Sequence, residues 1–312
     1  MNLVGIIGSG SWAMALSKII KTDNLIIKVR DRRKAENNFK SKKKLVLTNK
    51  FEKLSTCNFI FLAIPSQAIR ENLKLLKKEK DYLGKIFIIC SKGVERKTNK
   101  LMSQVFEEFL NNEYAILSGP NFSSEVIKGL PTASVLSSKT PKTSMKISKL
   151  FEKSKFRTYF NNDIIGTQIG GAMKNVIAIA CGLIQGRKLG NNAQASIITR
   201  GLSEMVSLGL KMGAKRTTFL GLSGIGDLSL TCSSLKSRNT TLGFEIGKEL
   251  FVSKKKSSVL TEGFYSCDSI CNLGRKFKVE LPICNAVKKA LDGKNIEIII
   301  EELLKRPLQF EK

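Results

Sequence analysis

The stretch LVGIIGSGSWAMA, residues 3–15, decides the fold. Its opening LVGII is a continuous apolar run of strand length, and residues 11–21 carry a helical pattern. Between them Gly8-Ser9-Gly10-Ser11-Trp12-Ala13 fits G-x-G-x-x-A. Alone the pattern is weak, and a glycine-rich turn without a ligand also satisfies it. A strand that runs straight into the turn and out into a helix is the context in which it binds a dinucleotide. Gly8 permits the tight turn, Gly10 lets the backbone approach a pyrophosphate, and the small Ala13 lets helix pack on strand. The helix amino terminus at Ser11 and Trp12 then presents free N–H groups to the anion.

Outward from this stretch the same alternation continues. LIIKV (25–29), FIFLAI (59–64), KIFIIC (85–90), YAILS (114–118) and TASVLS (132–137) read as strands, with helical patterns over 66–79 and 98–110 among them. Continuous apolar runs suit parallel strands covered on both faces. The expected class is α/β, a Rossmann-type doubly wound parallel sheet. After about residue 161 the strand-like runs stop. Segments 163–185, 193–212, 240–250, 260–275, 282–292 and 295–304 read as helices. Two domains are expected: a dinucleotide-binding domain over 1–161 and an all-helical substrate and catalytic domain over 162–312.

Composition narrows the function. The formal charge is +27, from 53 basic and 26 acidic residues. The lysines are spread along the chain, with runs at 42–44, 77–80 and 254–256, and only four Tyr and one Trp accompany them. No aromatic-basic module for nucleic acid emerges, and the charge reads as solvated basic faces that attract anionic substrates. Seven cysteines, with no C-x-x-C spacing, suit reduced buried thiols and a cytoplasmic protein. The apolar amino terminus ends in an A-x-A pattern, yet no basic side chain precedes Lys18, and Gly5, Gly8 and Gly10 interrupt it, so a secretory signal is not expected. No run of eighteen apolar residues marks a membrane span. Histidine is absent altogether. Proton transfer near neutral pH therefore falls to Lys, Asp, Glu, Cys or Tyr, and His-containing metal sites are excluded.

Candidate site residues cluster at strand ends and in the helical half. The second strand ends in Arg30-Asp31-Arg32-Arg33, where an acid selects the ribose hydroxyls of NAD and arginines accommodate the 2′-phosphate of NADP. The two consecutive arginines favour NADPH, with NADH as the alternative. Ser91-Lys92-Gly93 and Ser118-Gly119-Pro120-Asn121 follow later strands, at the edge where open α/β sheets bind ligands. In the apolar segment IGGAMKNVIAIACG (169–182) a single charge, Lys174, stands beside Asn175. Such a lysine either snorkels from a helix end or faces a cleft and handles protons. Asp227 lies in the glycine-rich GLSGIGDLSLTC (221–232), and Ser237-Arg238-Asn239 precedes a helix expected from Thr240, a ready anion site.

These pieces, in this order, resemble the NAD(P)-dependent sn-glycerol-3-phosphate dehydrogenases of the soluble bacterial type. The resemblance covers essentially the whole chain and rests on GSGSWA, AIPSQAIR, SKGVE, LSGPNF, IGGAMKNVIAIACG, GLSGIGDLSLTC, SRN and LTEG. It implies reduction of dihydroxyacetone phosphate to sn-glycerol 3-phosphate, the head-group precursor of phospholipids, by NADPH or NADH. It implies Lys174 as proton donor and acceptor, with Asp227 and Thr231 around it and Lys92 as a second lysine reaching substrate and cofactor. Gly119, Asn121, Asn175, Ser237, Arg238 and Asn239 match the substrate side. Gly8, Gly10, Ser11, Trp12, Arg32, Arg33, Ser123, Leu260 and Glu262 match the cofactor side, with Lys92 and Arg238 near both. It also suggests a homodimer. Three positions depart from the family pattern: Ala13 for a common Gly, Arg30 for a frequent aromatic, and Ser123-Ser124 for an Ala-containing pair. A hydroxyacid or sugar-acid dehydrogenase of the same two-domain plan, and a dinucleotide sensor without turnover, remain as rival readings. Neither nucleic acid nor an integral membrane is expected as a partner, and no metal site is expected.

Overall fold

A computed structural model describes residues 3–22, 24–39, 45–78, 82–248, 261–307 and 310. The chain divides into two compact units, 1–92 with 101–167 and 93–100 with 168–312.

The first unit holds eight strands: β1 (Leu3–Ile7), β2 (Asn24–Lys28), β3 (Leu45–Thr48), β4 (Phe59–Leu62), β5 (Ile86–Ile89), β6 (Tyr114–Ser118), β7 (Thr132–Ser138) and β8 (Phe156–Asn161). They form one sheet in the order β3-β2-β1-β4-β5-β6-β7-β8. Strand order reverses between β1 and β4, which pair in parallel, so the crevice of a doubly wound sheet opens beyond Ile7 and Leu62. The central strands β4 and β5 are buried at every residue, as their uninterrupted FIFL and IFII imply.

Helices α1 (Ser11–Ile19), α2 (Arg32–Phe39), α3 (Ile69–Lys78), α4 (Met102–Glu107), α5 (Ser123–Ile127) and α6 (Pro141–Ser148) cover the sheet. Ala13, Ala15 and Leu16 of α1 join Phe61, Ile88 and Phe151 in one core. Ile69, Leu73 and Leu76 of α3, spaced to share one helix face, join Ile60, Phe87 and Phe106 in a second.

The sheet differs from the wholly parallel expectation at one pair: β7 runs antiparallel to β6, and β8 is parallel to β7. The β6–β7 connection contains only the five-residue α5 in place of a full crossover helix. Two strands, β3 and β8, escaped the sequence reading. LVLT has four residues and follows a lysine run. FRTYFN lies at the sheet edge with Tyr159 and Phe160 half exposed, so it lacks a continuous apolar run.

The second unit is built on α7 (Ile164–Gly186), α8 (Asn191–Lys211), α9 (Arg216–Phe219), α10 (Asp227–Cys232), α11 (Arg238–Gly247), α12 (Glu262–Lys276), α13 (Pro282–Leu291) and α14 (Ile296–Leu304). By length and composition α7 is apolar enough to cross a membrane, but 89% of its apolar window is buried inside the protein. Its small residues let neighbouring backbones touch it. A Cβ on Gly182 would lie 2.0 Å from the Thr240 carbonyl oxygen, and one on Gly243 would lie 2.0 Å from that of Ile179. The sequence IACGLIQG therefore selects a backbone-to-backbone crossing of α7 with α11, which brings Asn239 alongside Asn175.

Candidate active site

In the first unit the phosphate loop has the geometry a pyrophosphate needs. Gly8 has φ +125°, and a Cβ there would sit 2.3 Å from the Ala63 carbonyl oxygen, so only glycine turns the chain this tightly against β4. At Gly10 nothing lies within 4 Å of where a Cβ would stand, which leaves the backbone open to a ligand. Gly10 caps α1 without a side-chain hydrogen bond, and no acid occupies the first turn. The N–H groups opening this helix thus remain available to an anion. Trp12 is half buried, with its ring centroid 6.3 Å from that of Phe156. These residues fit a dinucleotide.

The second-strand corner is strongly cationic. Asp31 accepts the Lys34 backbone N–H at 3.2 Å, so this acid caps α2. Arg32 pairs with Glu36 at 3.3 Å, and Arg33 is exposed.

Lys92 follows β5 and is held from two sides. Its Nζ donates to the Gly119 carbonyl at 2.8 Å and to Asn121 Oδ1 at 3.0 Å, and Asn121 Nδ2 donates to Ser134 Oγ at 2.8 Å. Gly119 has φ +141°, where a Cβ would meet Ser134 Cα at 3.0 Å, so the turn that aims its carbonyl at Lys92 requires glycine. Ser123 opens α5.

In the second unit the lone charge of α7 has an internal partner. Lys174 Nζ donates to Asp227 Oδ1 at 2.5 Å and to Thr231 Oγ1 at 2.9 Å. Lys174 is 7% exposed, Asp227 1% and Thr231 2%. Thr231 Oγ1 also donates to the Asp227 carbonyl at 2.6 Å, fixing its lone pairs toward the ammonium. The glycine-rich run before Asp227 is a π-type turn over Leu222–Gly226 with a non-helical Gly224. A Cβ on Gly170 would lie 2.2 Å from the Ser223 carbonyl, so this turn packs directly on α7. An ammonium placed here does not snorkel to solvent. It is paired and oriented.

Asn239 Nδ2 donates to Asn175 Oδ1 at 2.9 Å, and Asn239 Oδ1 accepts the Gly263 N–H at 2.9 Å. Asn175 Nδ2 donates to the Gly171 carbonyl at 3.2 Å. Ser237 caps α11 by accepting the Thr240 N–H at 3.3 Å, and the exposed Arg238 is its first residue. That helix starts two residues earlier than expected because the serine cap ends the turn. Glu262 opens α12, whereas Leu260 lies outside the described residues. Among the described residues no group of three or more His, Cys, Asp and Glu is placed to hold a metal ion.

Two family models match in tandem: the amino-terminal model of NAD-dependent glycerol-3-phosphate dehydrogenase over residues 3–144 and the carboxy-terminal one over 163–301. The chain belongs to the glycerol-3-phosphate dehydrogenase family. Curated family members span its full length. A glycerol-3-phosphate dehydrogenase [NAD(P)+] of Zymomonas mobilis is 36% identical, covering 99% of this chain and 94% of its own. That of Fusobacterium nucleatum is 38% identical, covering 100% and 99%. A crystal structure of glycerol-3-phosphate dehydrogenase from Coxiella burnetii superposes with a TM-score of 0.91 at 30% identity, covering 98% of this chain and 99% of that one.

Two thiols near the family's motif residues stay protonated. Burial pushes Cys90 up to about 12. A hydrogen bond with Cys181, reinforced by burial, holds Cys232 well above the usual range. Neither thiol offers a thiolate as base or nucleophile near neutral pH. Ser134, Gly263 and Thr240, whose hydroxyl donates to the Thr231 carbonyl at 2.7 Å, complete the networks. The sequence did not single them out, because small polar residues at β and helical positions carry no periodic signal.

Proposed function

We propose that this member of the family catalyses the reversible reduction of dihydroxyacetone phosphate to sn-glycerol 3-phosphate with NADPH or NADH. The observation that carries the reading is the buried Lys174–Asp227–Thr231 cluster on a chain matched end to end by the family. Bound NAD(P)H supplies the hydride. The phosphate loop at Gly8–Trp12, with Ser123, Arg32 and Arg33, holds the dinucleotide in the first unit. Lys92 serves substrate and cofactor from the same unit, steadied by Gly119 and Asn121.

Lys174 Nζ gives its proton to the substrate carbonyl oxygen during reduction and takes it back in the reverse direction. Its ammonium also stabilises the charge developing on that oxygen. Asp227 and Thr231 hold Nζ in one orientation, so little reorganisation is required at the reacting moment. Arg238, at the amino terminus of α11 with Ser237, binds the phosphate and fixes the substrate's direction. Asn175 and Asn239 are committed to one another and to the Gly263 N–H. They present the substrate face of α7 by bracing it, in addition to any bond they share with substrate. The setting is cytoplasmic, the protein works as a homodimer, and the product feeds glycerophospholipid synthesis.

The test is loss of reduced-nicotinamide absorbance on adding dihydroxyacetone phosphate, run in parallel with NADPH and NADH. Turnover is expected with at least one. Folded protein that binds nucleotide but turns over neither would move the function to a sensor or to another substrate.

A further inference from the structure

Lys28 is a buried cation without a carboxylate partner among the described residues. It lies on β2, in register with Ile7 of β1 and Thr48 of β3, and is 8% exposed. Its Nζ stands 4.0 Å from the centroid of the Phe51 ring. Burial, and then the charge of Arg30, lower its pKa from the usual 10.5. The acids of this corner are taken up elsewhere: Asp31 by the Lys34 N–H at 3.2 Å, Glu36 by Arg32 at 3.3 Å, and Glu52 by Lys50 at 3.6 Å.

An aliphatic side chain would fill this strand position at no electrostatic cost. An ammonium here gives up hydration and gains one aromatic face in return. Such a charge makes sense when an anion arrives. The surroundings name the anion. The Lys28 carbonyl accepts the Gly8 N–H at 3.0 Å, so the residue adjoins the phosphate loop at the carboxyl end of β2. At that end of the second strand, doubly wound folds distinguish a free ribose from a 2′-phosphorylated one. Asp31, the acid that would favour the free hydroxyls, is occupied as a helix cap, and Arg30 and Arg33 add two exposed cations.

We infer that Lys28 is a specificity-determining residue of the cofactor site, supplying with Arg30 the positive charge that selects a dinucleotide bearing a 2′-phosphate. This rests on the dinucleotide-dependent reaction proposed above. A purely structural Lys28, anchoring Phe51, would behave differently in two measurable ways.

The experiment titrates NADPH and NADH against Trp12 fluorescence, the one tryptophan of the chain, and records thermal melting of the ligand-free protein. Wild type, Lys28→Met and Lys28→Gln are compared, the second variant covering the case in which the first does not fold. Loss of a charge-assisted contact should weaken NADPH about tenfold to a hundredfold and leave NADH within about twofold. Melting of the ligand-free variants should hold or rise, because a buried charge with no carboxylate partner among the described residues has been removed. Equal weakening of both cofactors with a lowered melting temperature would make Lys28 structural and overturn the inference while leaving the reaction standing. NADPH affinity unchanged in a folded variant would overturn it as well. Wild-type protein that binds neither cofactor would overturn both the inference and the reaction.

Discussion

Replacing Lys174 by Ala tests two properties at once, and the structure says how to separate them. The substitution removes the ammonium that sits 2.5 Å from Asp227 Oδ1 and strands a carboxylate that is only 1% exposed. Breaking one partner of a buried pair costs about 3–5 kcal/mol, because the remaining charge keeps its desolvation penalty. In a unit of this size each kcal/mol lowers the melting temperature by about 2–4 °C, so the helical unit should melt roughly 6–20 °C lower. Turnover should fall by about 10²–10⁴ from loss of the proton donor. Inactivity alone would therefore not distinguish a dead catalyst from a weakened fold. The double variant Lys174→Met/Asp227→Asn removes both charges and retains volume. It should recover most of the melting temperature and none of the turnover. Thermal melts and reduced-nicotinamide oxidation on the same samples decide the matter. A double variant with near-wild-type turnover would refute the proton-transfer role and leave Lys174 as one half of a structural ion pair. A single variant that melts with the wild type would refute the burial argument.

The remaining predictions probe other parts of the same construction. Arg238→Ala should raise the apparent KM for dihydroxyacetone phosphate about tenfold or more, with little effect on unphosphorylated dihydroxyacetone; equal effects on both would remove the phosphate role. Gly182→Ala drives a methyl to within 2.0 Å of the Thr240 carbonyl and should destabilise the helical unit by about 1–3 kcal/mol in a melt. Glu204 of α8, buried against the Ile283 and Cys284 N–H groups at 2.5 and 3.2 Å, is pushed up to about 7 by burial. Its proton is held more tightly in the fold than in the unfolded chain, so its stabilising contribution is complete below the usual 4.5 and is lost as pH rises through 7. The loss amounts to about 3 kcal/mol, and Glu204→Gln should flatten the melting temperature between about pH 5 and 8.

What the sequence made legible followed from physical signals that survive in one dimension. Gly8 was readable because a glycine after an apolar strand predicts both positive φ and close approach, and both are present. The absence of histidine pointed to Lys174, since a chain with no imidazole needs another proton carrier, and the lysine proved to be paired inside the fold. The reversal at β7 was not readable. It depends on the length and path of the β6–β7 connection, while the apolar content of TASVLS is the same in either direction. The bracing of Asn175 by Asn239 was hidden for a similar reason, because it requires the α7–α11 crossing, and the glycines that permit that crossing read locally only as weak helix formers. Lys28 is the sharpest case. In the sequence LIIKV it is one polar letter in an apolar strand, yet the chain that follows β3 places Phe51 against its ammonium. A strand charge of this kind shows its burial only when the sheet is assembled, and with no carboxylate partner among the described residues it is placed to answer an arriving anion.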